Sequence, residues 1–123
     1  MGLDMYLERR NSRTKSYENV GYWRKANQIH NWFVENVQEG IDDCNCYEVS
    51  EEQLRNLLDV CRKVKDDINH AKELLPTCEG FFFGSTEYDD YYLENIDSSI
   101  KLLEKVLKET NFNEETIFYY SWW

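Results

Sequence analysis

The chain has 123 residues, 41% apolar, 31% charged and 15% aromatic, with a formal net charge of −10 and a pI near 4.6. These values predict one globular domain over residues 1–123, long enough to bury a core without metal or disulfide staples. One proline and five glycines exclude a linker-rich or low-complexity chain, and the acidic balance excludes nonspecific binding to DNA or RNA, which needs a basic surface.

In chain order, MGLDMYLERR alternates Leu3, Met5 and Leu7 with Asp4, Tyr6 and Glu8, the period-two pattern of a half-buried strand. Residues 11–19 are polar and basic and read as a loop. From Val20 to Gln38 the period becomes helical, with Tyr22, Ala26, Ile29, Phe33 and Val37 recurring at three and four residues and Gly40 stopping the run. CYEVS (46–50) is a short strand. Ser50-x-x-Gln53 is a capping box that opens a second helix, whose stripe Leu54, Leu57, Leu58, Cys61, Val64, Ile68, Ala71 and Leu75 runs to Pro76. Thr86-x-x-Asp89 is a second capping box, ahead of a third helix with Tyr92, Ile96, Ile100, Leu103 and Leu107 inward. TIFYYSWW is β-branched and aromatic, which suits a strand.

This order predicts an α+β fold. Three main helices pack on a small antiparallel or mixed sheet formed by the N-terminal strand, a short middle strand and the C-terminal strand. A mainly helical fold is the alternative. No apolar run is long enough to span a bilayer, and Asp4, Glu8, Arg9 and Arg10 break up any signal core, so the reading is a cytoplasmic protein without membrane contact. Cys44, Cys46, Cys61 and Cys78 lack the paired spacing of a zinc site and read as reduced thiols, with no metal and no cofactor.

Charge is uneven along the chain. Residues 1–25 hold six basic groups against three acidic ones, while the rest holds eight against twenty-one. An acidic surface of this kind suits a basic protein groove. The reading places it mostly on the second and third helices, with Glu73, Asp97 and Glu104 as its partner-binding residues.

The densest stretch is GYWRKANQIHNWFV (21–34). On one continuous helix, Trp23, Asn27 and His30 form a stripe inside the apolar arc, with Tyr22 and Arg24 beside it. His30 is then buried, neutral and hydrogen-bonded. If neighbouring elements leave a gap, the stripe is a ligand site: Tyr22 or Trp23 stacks, Arg24 or Lys25 holds an anion, and Asn27 with His30 gives polar recognition. FFFGSTEYDDYY (81–92) is a second candidate, an anion site at a helix start, but Glu87, Asp89 and Asp90 repel phosphate. No catalytic residues are assigned, because GxSxG, HExxH, CxxC and GxGxxG are absent. The pairs Asp42–Asp43, Asp66–Asp67 and Asp89–Asp90 are only sequence neighbours.

MGLDMYL, YWRKANQIHNWFV and FFFGSTEYD together resemble a family of small, mostly uncharacterised bacteriophage and prophage proteins. The resemblance implies an accessory protein in a bacterial host cell, acting by binding as an anti-CRISPR or other anti-defence inhibitor. Its partner is then a host or defence-system protein with a basic surface. The alternative is a protein that binds or sequesters a nucleotide-type ligand along the Tyr22–His30 stripe, and the third reading is a small hydrolase or transferase.

Overall fold

Alternation in MGLDMYL becomes strand β1 (Asp4–Asn11), with Leu3, Met5 and Leu7 fully buried. The computed structural model describes residues 2–79 and 85–123. The polar stretch after β1 is not an extended loop. It is a short turn feeding β2 (Tyr17–Arg24), which runs antiparallel to β1. Asn11 builds that turn: its Oδ1 accepts from the backbone N–H groups of Arg13 and Thr14 at 2.9 and 3.0 Å. Lys15 completes it in the left-handed region at φ +63°.

β2 overturns the expected helix from Val20. Gly21 and Trp23 face inward while Tyr22 and Arg24 are exposed, the alternation of a strand. Lys25, at φ +55°, turns the chain out of the strand, and α1 occupies only Asn27–Asn36. The spacing Tyr22–Ala26–Ile29–Phe33 thus crosses a strand, a turn and a helix. A side chain at Gly21 would bring its Cβ within 3.0 Å of Leu102 Cδ2 and 3.3 Å of Leu7 Cβ. Glycine therefore sets how closely this strand approaches the helix that carries Leu102.

The remaining elements are β3 (Tyr47–Val49), α2 (Glu51–Asp66), a 3₁₀ turn (Ile68–His70), α3 (Ala71–Leu74), α4 (Asp90–Glu109) and β4 (Glu115–Trp122). The architecture is α+β as expected, but with four strands and four helices among the described residues in place of three and three. The sheet runs β2-β1-β4-β3 and every pairing is antiparallel, so the mixed-sheet alternative is removed. β1 and β4 pair over their whole length, from Asp4 opposite Trp122 to Asn11 opposite Glu115.

The Ser50 capping box forms as read: Ser50 Oγ accepts from Gln53 N–H, and Gln53 Oε1 accepts from Ser50 N–H. The helix it opens does not reach Leu75. Asp67 is extended and ends α2, and its carboxylate caps the 3₁₀ turn through Asn69 N–H. The second capping box is also displaced. Asp89, not Thr86, caps α4 by accepting from Tyr92 N–H at 3.1 Å. Thr86 instead gives its carbonyl to the Thr77 hydroxyl.

Buried side chains from β1, β4, α1, α2 and α4 make one apolar cluster on the helical side of the sheet. No described helix is long and apolar enough to cross a membrane. All four cysteines are free thiols, and burial pushes the Cys61 thiol up to about 12. Thiol titration is expected to return four reactive groups after unfolding. In the native protein exposed Cys46 reacts and Cys61 stays inert; a native count that includes Cys61 would contradict this packing.

Candidate functional site

The turn at Lys25 divides the dense stretch into two environments. Tyr22 and Arg24 lie on the outward side of β2, and Tyr22 donates its hydroxyl to Asp4, which raises its pKa. Trp23, Asn27 and His30 face the interior and are 4%, 2% and 1% exposed, so side chains, not an open cavity, fill the space around the three. Trp23 Nε1 donates to Ser99 Oγ at 2.8 Å, tying β2 to α4. Asn27 holds the segment after α3: its Oδ1 accepts from Cys78 N–H and its Nδ2 donates to the Ser85 carbonyl. The second sequence candidate starts in residues 81–84, which lie outside the described residues. Within its remainder Ser85 Oγ accepts from Glu87 N–H.

His30 is the centre of the interior group. Its Nδ1 lies 2.6 Å from the Tyr119 hydroxyl and its Nε2 lies 2.8 Å from Asp42 Oδ1. Burial lowers its pKa from 6.5, against the opposing pull of Asp42. A neutral ring fits both contacts: Tyr119 donates to Nδ1, and Nε2–H donates to Asp42. Tyr119 is fully buried, is held well above its ordinary pKa by that burial, and stacks on Phe33 at 3.9 Å. With that phenol sealed in the core, Tyr119 is not accessible as a nucleophile. The Asp42–His30–Tyr119 line works as a tether from the sheet, through α1, to the loop after α1.

That loop carries the charge. Between Ala26 and Leu54 there are seven acidic residues and no lysine or arginine. Glu35, Glu39, Asp42 and Glu48 are exposed. Asp42, Glu35 and Glu79 add to the burial that raises the Cys78 thiol, and Glu39 and Asp43 act together on Tyr47. Glu35, Glu39, Asp42 and Asp43 therefore form one lobe around the α1–β3 connection, while Glu48, opposite Phe118, lies on the outward face of the sheet. Among the described residues, neither Glu35, Glu39, Asp43 nor Glu48 has an ion-pair partner within 4.0 Å.

The acidic residues chosen from sequence sit elsewhere. Glu73 lies exposed on α3, and Asp97 and Glu104 lie on α4. Asp97 pairs with Lys65 and Lys101, and Glu104 with Arg62, across or along the helices. α2 itself holds four acidic and four basic side chains.

The outward face of the sheet is a feature the sequence reading missed. Tyr6 packs between Tyr22 and Tyr120, at 5.4 and 5.0 Å, and the Arg10 guanidinium lies 4.1 Å above the Phe118 ring. Tyr17 and Trp122 extend the aromatic face and are 73% and 62% exposed. The available signal was the second register of the alternation: Phe118, Tyr120 and Trp122 interleave with buried Ile117, Tyr119 and Ser121. No family model, curated protein or solved structure matches this chain.

Proposed function

We propose that the chain is a non-enzymatic binding protein whose carboxylate lobe docks into a basic groove of a partner protein. The observation that carries this reading is the run from Ala26 to Leu54, with seven acidic residues and no lysine or arginine inside it, although Glu51 pairs with Arg55 just beyond its end. Unpaired exposed carboxylates raise association rates with a complementary surface and reject like-charged partners. The His30–Asp42 tether supports the reading by fixing the loop to the core. The resemblance to small phage and prophage proteins supplies the setting: an accessory factor, of the anti-CRISPR or other anti-defence kind, acting on a host or defence-system protein.

The test is affinity capture from bacterial lysate with two charge-reversed variants beside the native chain. Glu35→Lys with Glu39→Lys is expected to slow association at least about tenfold, with little change in dissociation. Raising salt from about 0.05 to about 0.5 M is expected to weaken native binding in the same way. Reversing Glu73, Asp97 and Glu104 should matter less, since Asp97 and Glu104 are already paired. Salt-insensitive capture, or an unchanged on-rate in the first variant, would refute the docking surface. Recovery of a nucleotide in place of a protein would refute the protein-docking reading.

A further inference from the structure

The outward face of the sheet ends, at the β1–β2 turn, in a cleft of about 280 Å³ lined in part by Arg10, Asn11, Lys15, Tyr17, Thr116 and Phe118. Arg10 and Tyr17 are cross-strand partners, so both side chains leave the same face. Arg10 donates through Nε to Glu8 at 2.6 Å and through Nη2 to Cys46 Sγ at 3.5 Å, which holds its guanidinium over the Phe118 ring. Arg10 also lines the cleft, beside Tyr17. Lys15 stands at the turn in its left-handed conformation, with no ion-pair partner within 4.0 Å among the described residues. Tyr17 is the most exposed of the large apolar side chains among the described residues.

We propose that this cleft binds a nucleoside phosphate, its base laid on Arg10 and covered by Tyr17, its phosphate held by Lys15. Planar bases stack on guanidinium groups as they do on aromatic rings, and the hydroxyl of Thr116 and the amide of Asn11 supply polar contacts at the rim. The volume is at the small end for ligand sites, room for one nucleotide and not for an extended strand. The charge available there is that of Lys15: Arg9 is paired with Glu18 and Glu115, Arg10 with Glu8 and Arg13 with Glu114, so the phosphate contact falls to the one cation of the turn without an ion-pair partner among the described residues. The ligand chemistry is shared by a free nucleotide and by the phosphorylated end of a single strand. None of the cleft residues belongs to the carboxylate lobe, so the two proposals stand or fall separately.

Isothermal titration at low salt with adenosine triphosphate, adenosine and inorganic triphosphate tests the site, with a short 5′-phosphorylated oligothymidine as a fourth ligand. The nucleotide is expected to bind at least about tenfold more tightly than adenosine or triphosphate alone, because stacking and charge act together. Lys15→Glu and Tyr17→Ala should each weaken it at least about fivefold with an unchanged melting temperature, since both positions are exposed. Preference for the nucleotide identifies a free ligand, and preference for the oligothymidine identifies a strand end. Equal nucleotide affinity in the native chain and in Lys15→Glu, or no saturation by about 1 mM ligand, overturns the proposal.

Discussion

Replacing Trp23 with alanine is expected to cost about 3–5 kcal/mol of folding stability, the range for removing a buried aromatic from a core. Trp23 is 4% exposed, meets Phe33 edge-on at 6.0 Å and donates to Ser99 on α4, so its loss opens a cavity where β2, α1 and α4 meet. Tyr22, one residue earlier, is 49% exposed, and Tyr22→Ala is expected to cost about 1 kcal/mol or less. Urea unfolding of both variants checks the contrast. Similar costs at the two positions would mean that residues 22 and 23 do not face opposite sides of a strand.

His30→Ala is the second large effect, at about 2–4 kcal/mol. It combines a lost buried ring with a Tyr119 hydroxyl stranded in the core. Its signature is the pH dependence. Burial lowers the folded-state pKa below 6.5, so the unfolded chain takes up the proton first. The stabilisation is complete above pH 6.5 and is lost as pH falls from there toward the folded pKa, at a rate of at most about 1.4 kcal/mol per pH unit. Thermal unfolding at pH 7.5 and 5.5, above the range where ordinary carboxylates titrate, is therefore expected to show a drop in the native protein that His30→Ala lacks. A variant with an unchanged melting temperature, or with the same pH slope, would show that the imidazole does not anchor the loop.

Where the sequence was legible, one local rule acted alone. Leu3, Met5 and Leu7 alternate without interruption, the Ser50–Gln53 box has both partners, and TIFYYSWW has no helix former to compete, so β1, the start of α2 and β4 could be read directly. Between residues 17 and 30 two rules coincide. Tyr22, Ala26, Ile29 and Phe33 satisfy a helical period although Gly21 and Trp23 satisfy a strand period as well. What separates them is Lys25 in the left-handed region, a conformation that lysine rarely takes and that composition does not announce. The burial and neutrality of His30 were nevertheless legible, because an apolar surround for that ring follows from either geometry. Its partners were not, since Asp42 and Tyr119 reach it only through the loop and the sheet. The aromatic outer face was hidden for a related reason: a strand rich in rings on both sides reads as a buried strand until its neighbours are known.

The full-length pairing of β1 with β4 has a consequence for biosynthesis. β4 is an interior strand, flanked by β1 on one side and β3 on the other, yet it emerges from the ribosome after every element it joins. Until then β1 offers one open edge, β3 lacks the strand it pairs with, and Leu7 lacks Tyr119, its partner across the pair. The nascent chain can form the β1–β2 hairpin and the helices, but it cannot seal the core or seat His30 against its phenol partner. Chains stalled before Glu115 should therefore be protease-sensitive and prone to pair β1 with other chains, and native protection should arrive in one step when Trp122 clears the exit tunnel.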